Sequence, residues 1–280
     1  MKISFLDFWG DFNPNNNFLI NSIRQIKEFV EVTTPEDSDI IICSIFGQEH
    51  HKYYNSKKII LFSGENIRPN YQTYDKSISF DFDSYENRNI RIPLWYYYID
   101  WFDVKSYGNP EYLIPVDYLY NENEFSKKEK NKFCCTVFSA SHYSRFQMMN
   151  TLNTYKNVDG YGKVHNNRIP DGEKVKMDII SDYKFSICFE NSIYPGYFTE
   201  KLLHAKIAGT IPIYNSHGTM NEDFNKDCCL NLNISSFQEI LELVKEIDSN
   251  DKLYKSYIEQ PLFTNKIEIS NILEKINNII

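Results

Sequence analysis

Two short runs most constrain this chain: Asp39–Phe46 (DIIICSIF) and Lys58–Ser63 (KIILFS). Both are continuous and rich in isoleucine, with no alternation of apolar and polar residues. A strand with one wet face alternates, whereas a strand buried on both faces reads as an unbroken β-branched run. Such strands need helices above and below them, which is the parallel α/β arrangement. The flanking segments agree. Ile3–Phe8 reads as a first strand. Phe18–Val30 places Leu19, Ile20, Ile23, Ile26 and Val30 on one helical stripe, and Ile78–Asp81 reads as a further short strand.

A second α/β run follows a polar stretch at Asn121–Lys132, where Lys127–Lys130 are consecutively charged. That stretch reads as a linker, giving domains at 1–125 and 126–280. In the second half, Phe133–Phe138, Lys184–Phe189 and Thr210–Tyr214 read as strands. Ser144–Tyr155, Thr199–Ala208 and Phe237–Asp248 read as helices. Two α/β halves around a cleft are the expected architecture.

Composition bounds the function. The chain has 280 residues, 42% of them apolar, enough for two cored domains. Its formal net charge of −8 argues against nucleic acid as the main partner, because neutralising many phosphates needs a basic face. The six cysteines (Cys43, Cys134, Cys135, Cys188, Cys228, Cys229) lie in apolar runs without C-x-x-C spacing, so reduced, buried thiols are expected. The N-terminus lacks a long apolar segment, and no 18-residue apolar stretch occurs. A cytoplasmic location without a membrane span is therefore expected.

Several residues could carry chemistry. Ile187-Cys-Phe-Glu-Asn-Ser192 ends a strand in polar residues, and a Tyr/Pro/Gly loop leads to Tyr197-Phe-Thr-Glu-Lys201. Thr199 reads as the N-cap of a helix whose free N–H groups would meet an anion. Lys201 opposes the helix dipole there, so it implies either a nearby anion or a solvated cation. Arg145 begins the helix after Phe133–Phe138. Its forked guanidinium suits a diphosphate, and spacing alone equally allows a surface salt bridge. Glu65, after the buried strand and Gly64, stands where a general base would serve, with a structural carboxylate as the alternative.

These segments carry a resemblance. Lys184–Tyr214 (KFSICFENSIYPGYFTEKLLHAKIAGTIPIY) resembles the F-E-N-S…Y-[VIF]-T-E-K…G-[TS]-[IV]-P-[IV] donor-site signature of the α1,3/α1,4-fucosyltransferases, particularly their bacterial members. Leu61–Asp75 (LFSGENIRPNYQTYD) resembles their G-E-N-x-x-P-N segment. Further agreement comes at Trp9-Gly-Asp11, Arg91-Ile-Pro-Leu94 and Asp223-Phe. The similarity covers nearly all of residues 1–262. It implies a GT-B fold of two Rossmann-like domains facing a central cleft, the first binding the acceptor and the second the GDP-sugar donor. It also implies inverting transfer of L-fucose from GDP-fucose to a hydroxyl, expected to be O3, of an N-acetylglucosamine-type glycan. Carried over, Arg145 and Lys201 would hold the diphosphate. Asn191, Tyr197 and Glu200 would contact the donor, with Glu200 near the fucose ring, and Glu65 would be the base. Neither a metal nor another cofactor is expected. The alternatives are a related transferase with another nucleotide sugar or acceptor, and a silent sugar-nucleotide-binding module. Bacterial members often end in a basic amphipathic tail. Lys266–Ile280 has only Lys266 and Lys275 as cations, so peripheral membrane contact is not expected.

Other motifs have blander readings. Asp81-Phe-Asp83 imitates a D-x-D metal motif but reads as a strand-end pair. His50-His51 would point apart on a strand. Gly160-Tyr-Gly162 is too short for a phosphate loop by itself. Trp95–Tyr98 with Trp101 reads as core, with a sugar platform as the alternative.

Overall fold

The computed structural model describes residues 1–165, 167 and 172–280. The chain divides into two compact units, Met1–Ile114 with Ile267–Ile280, and Pro115–Lys266.

The first unit is built on a six-stranded parallel sheet: β1 (Lys2–Leu6), β2 (Glu31–Val32), β3 (Ile40–Cys43), β4 (Lys58–Ser63), β5 (Lys76–Ser79) and β6 (Asn89–Arg91), in the order β2-β1-β3-β4-β5-β6. As the isoleucine runs require, Ile41, Ile42, Ile59 and Ile60 are at most 1% exposed. Helix α1 (Phe18–Ile26) starts at Asn17, whose side chain accepts from Ile20 N. It buries Leu19, Ile20 and Ile23 on the sheet. The helix ends four residues before Val30, because Lys27 is already extended.

The domain boundaries differ from the expected 1–125 and 126–280. Residues 115–125 belong to the second unit, while the C-terminal helix Ile269–Ile279 packs in the first. Its Ile272, Ile276 and Ile279 form an i, i+4, i+7 stripe buried with Ile3, Phe18 and Ile23. The Lys58 ammonium donates to the carbonyls of Ile279 (3.0 Å) and Ile280 (3.2 Å), as suits a cation at a helix C-terminus. The charged stretch is not a free linker either. Asn123 bonds the Ile207 carbonyl (3.0 Å), and Lys130 donates to the carbonyls of Phe125, Ser181 and Ala208. Burial there pushes the Lys130 pKa down to about 8.

The second unit has a five-stranded parallel sheet: β7 (Lys132–Val137), β8 (Val158–Tyr161), β9 (Tyr183–Ile187), β10 (Ile211–Tyr214) and β11 (Leu230–Asn231), in the order β8-β7-β9-β10-β11. Around it lie α2 (Tyr143–Asn153), α3 (Glu173–Ile180), α4 (Glu200–Ile207), α5 (Phe237–Asp248) and α6 (Asp251–Ile258). A capping box between Ser236 and Glu239 starts α5, and Ile240, Leu241, Val244 and Ile247 face the core. The cysteines are unpaired, and all but half-buried Cys188 are buried. No helix among the described residues is long and apolar enough to cross a membrane.

Candidate functional site

In the second unit, β7 and β9 are parallel neighbours, with Thr136 beside Ile187. The chain then turns outward from each, to β8 on one side and β10 on the other. Open α/β sheets bind ligands beyond the carboxyl ends of strands at such a reversal. Arg145 follows β7 there, and the loop Cys188–Thr199 follows β9.

Arg145 is only 3% exposed. Its Nη2 donates to the Phe189 carbonyl and to Asn191 Oδ1, both at 2.6 Å, and Nη1 donates to the Ala140 carbonyl at 3.2 Å. The guanidinium also lies over the Phe138 ring, 5.1 Å from its centroid. Burial lowers its pKa from the usual arginine value, with Glu190 and Glu200 opposing.

Lys201 is the other expected phosphate ligand, and its anions come first from the protein. Its ammonium lies 3.4 Å from Glu190 Oε2 and 3.7 Å from Glu200, and it donates to Thr199 Oγ1 at 2.9 Å. Burial would lower the Lys201 pKa, but Glu200 and Glu190 outweigh it and raise it. Burial would raise Glu200, yet Lys201 and Lys176 hold that carboxyl well below the usual range. Lys176 Nζ is 3.2 Å from Glu200 Oε1. Arg145, Lys176 and Lys201 all line one small cavity of about 20 Å³. Tyr197 is buried at 2% exposure on the same loop.

Thr199 differs from expectation. It occupies the N-cap position of α4 without a side-chain cap bond. Its hydroxyl donates instead to Glu190 Oε2 (2.7 Å), while its backbone N–H donates to Glu190 Oε1 (2.8 Å). Tyr214 OH donates to the same Oε1 at 2.7 Å. Glu190 thus fastens the loop, the start of α4 and the end of β10. Sequence reasoning passed over Glu190 and Lys176 as site residues. Glu190 was visible inside the F-E-N-S motif, whereas Lys176 lies on α3, a helix the sequence reading did not identify.

Glu65 belongs to the first unit, one residue beyond Gly64 at the carboxyl end of β4. It is exposed and lines a cavity of about 200 Å³ with Trp9, Phe46, Tyr97, Tyr98 and Asn109. Gly64 is not in a left-handed turn, and a Cβ there would lie 2.7 Å from Leu94 Cδ1, so the end of the Leu94 side chain would have to turn aside. Tyr97 and Tyr98 thus give the aromatic cluster a face on a cavity, while Trp95 is core.

The other motifs settle locally. Asp81 and Asp83 lie beyond the end of β5, not on a strand face. Asp81 pairs with Arg68 (3.6 Å) and accepts from Tyr85 OH (2.6 Å). His50 and His51 sit on a 3-10 turn, Glu49–Tyr53, with rings edge-on at 4.5 Å, not on a strand. Gly162 adopts φ +103, and a Cβ would collide with the Phe138 carbonyl. Among the described residues, no group of three or more His, Cys, Asp or Glu is placed to hold a metal ion.

Solved structures show this two-unit α/β architecture in glycosyltransferases of the GT-B type. An α1,3-fucosyltransferase matches with a TM-score of 0.77 at 24% identity, covering 99% of this chain and 89% of the other. The same enzyme with GDP-fucose matches at 0.73, with the same identity and coverage. By sequence, residues 3–98 match the alpha-(1,3)-fucosyltransferase FucT N-terminal domain, and residues 127–272 match the glycosyltransferase family 10 (fucosyltransferase) C-terminal domain. The chain belongs to glycosyltransferase family 10, the fucosyltransferases. It is 28% identical over 295 residues to the alpha-(1,3)-fucosyltransferase FucT of Helicobacter pylori, covering 94% of this chain and 61% of that protein. It is also 28% identical over 224 residues to the human GDP-fucose protein O-fucosyltransferase 3, covering 75% of this chain and 45% of that one. The chain therefore spans less than two thirds of the length of these curated relatives.

Proposed function

We propose that the protein transfers L-fucose from GDP-fucose to a hydroxyl, O3, of an N-acetylglucosamine-type glycan, with inversion at the fucose C1. The observation that carries this reading is the Arg145–Asn191–Lys201–Glu200 constellation at the β7/β9 reversal of a family 10 chain.

In the proposed reaction Glu65 takes the proton of the acceptor hydroxyl as its oxygen bonds to C1. The bond from C1 to the β-phosphate oxygen breaks, and GDP departs with the electron pair. Arg145 and Lys201 stabilise the charge that gathers on the leaving diphosphate. Glu200 faces the positive charge that develops on the fucose ring, and Tyr197 and Asn191 orient the donor. Two lysine or arginine cations on the diphosphate do the work that a divalent metal does elsewhere. Likeness to the human protein O-fucosyltransferase favours a protein hydroxyl as a second acceptor class.

The test is incubation with GDP-fucose and either N-acetyllactosamine or serine- and threonine-containing peptides, with GDP and product quantified. Fucosylated N-acetyllactosamine is the expected product. A fucosylated peptide alone would replace the acceptor assignment. Binding of another nucleotide sugar in preference to GDP-fucose, or binding without turnover, would overturn the donor or the transferase reading respectively.

A further inference from the structure

In the first unit the sheet order reverses between β1 and β3, with Leu6 beside Cys43 at their carboxyl ends. This is the position at which an open α/β sheet forms a ligand crevice. The residue after β1 is Asp7, in a left-handed conformation (φ 58) uncommon for a residue with a side chain. Its carbonyl accepts from Phe46 N at 3.0 Å. Its carboxylate accepts from Glu49 N and His50 N, each at 3.0 Å, and from His50 Nδ1 at 2.5 Å. The two side chains are 3% and 2% exposed. The turn is built around this pair, since a Cβ at Gly47 would lie 2.3 Å from Asp7 Oδ1. The His50 ring stacks on Tyr74, 5.4 Å between centroids.

What this buried pair holds in place is the segment that carries Phe46. Phe46, one residue before that Gly47, is 54% exposed. Its ring meets Trp9 edge-on at 6.2 Å, and Trp9 lies two residues after Asp7. Both rings line the 200 Å³ cavity that also contains Glu65 and Asn109. The Trp9 Nε1 is buried without a hydrogen-bond partner. An exposed ring beside a second aromatic ring, with an amide and a carboxylate around a space of that size, suits one pyranose ring, stacked by its C–H face and held by its hydroxyls.

We propose that the Asp7–His50 pair is a positioning clamp: it fixes Phe46 beside Trp9 as the aromatic wall that receives the acceptor's sugar ring, and so sets acceptor affinity without touching the acceptor. This rests on the reading of Glu65 as the acceptor-side base.

The experiment compares His50→Ala, His50→Asn and Phe46→Ala with the double variant His50→Ala/Phe46→Ala. Steady-state KM is measured for N-acetyllactosamine and for GDP-fucose. His50→Ala is expected to raise the acceptor KM roughly tenfold and to leave the GDP-fucose KM within about twofold. His50→Asn, whose amide N–H replaces Nδ1–H, should recover most of the loss. The double variant should be no worse than Phe46→Ala, because the pair acts through that ring. Additive losses, equal damage to both KM values, or no rescue by asparagine would overturn the proposal. If His50→Ala shows no cooperative unfolding, His50→Gln takes its place, with a smaller rise in acceptor KM expected and an unchanged KM contradicting the clamp. Tryptophan fluorescence titrated with N-acetyllactosamine, GDP present, separates this idea from the proposed reaction. Sugar binding weakened in the His50 variant, in a protein that turns over no GDP-fucose, would leave the clamp standing and remove the reaction. No sugar binding by the unaltered protein would remove the clamp.

Discussion

Arg145 donates to the Asn191 side-chain oxygen at 2.6 Å, tying the start of α2 to the loop that follows β9. The same Nη2 also reaches the Phe189 carbonyl, so the fork is held before any ligand arrives. A preorganised cation stabilises developing charge without reorganising during the reaction.

Arg145→Lys keeps the charge but cannot reproduce these simultaneous bonds. We expect kcat/KM for GDP-fucose to fall by about 100-fold or more, with the far-ultraviolet spectrum unchanged. A loss below fivefold, measured by GDP release, would contradict a role at the leaving group.

Tyr214 and Glu190 are both buried, and the Tyr214 hydroxyl donates to a carboxylate that also receives Thr199 and Lys201. Tyr214→Phe removes one charge-assisted bond and should lower the unfolding free energy by about 1.5–3 kcal/mol in urea titration. Neighbouring donors keep the loop in place, so GDP affinity should change little. An unaltered unfolding midpoint would show that the bond does not contribute.

His204, 1% exposed on α4, has its pKa held well below 6.5 by burial and then by Lys176. Between the depressed native value and the unfolded one, only the unfolded chain takes up the proton. Stability is therefore fully present above about pH 6.5 and falls as pH drops below it, by up to about 1.4 kcal/mol per pH unit from this group. Glu200, depressed below its ordinary 4.5, adds a second loss at still lower pH. Denaturant titrations from pH 7.5 to 5 should show this slope, and His204→Gln should flatten it. Equal slopes in both proteins would refute the assignment.

Arg145, Lys176 and Lys201 line the small cavity beyond β7 and β9 and supply positive charge from side chains. GDP release should accordingly be insensitive to EDTA, within about twofold. A loss of activity restored by magnesium or manganese would require a metal on the diphosphate.

The fold was legible where burial on both faces leaves a continuous run, as at Lys58–Ser63, and where a stripe is regular, as at Phe237–Asp248. It was illegible where strands are only two or three residues long, such as Glu31–Val32 and Asn89–Arg91, because no period can show in so few positions. The boundary at Lys127–Lys130 misled because charge suggested solvent, while Lys130 in fact caps three carbonyls. Ile272, Ile276 and Ile279 had the spacing of a core helix, but nothing local tells which core a helix joins. The family resemblance, more than spacing, directed attention to Arg145, Asn191 and Lys201, and the structure places Arg145 on Asn191 and Lys201 between Glu190 and Glu200. Glu190 and His50 act through partners far away in sequence, Tyr214 and Asp7, and pairings of that kind appear only once the sheets are assembled.

The central claim is acceptor activation by Glu65 in a GDP-fucose-dependent transfer, and Glu65→Gln tests it most directly. GDP-fucose binding by calorimetry and fucosyl transfer to N-acetyllactosamine are measured on both proteins. The account predicts the same dissociation constant for both and transfer by the unaltered protein alone. Transfer retained by Glu65→Gln, or GDP-fucose binding lost with it, would contradict the account.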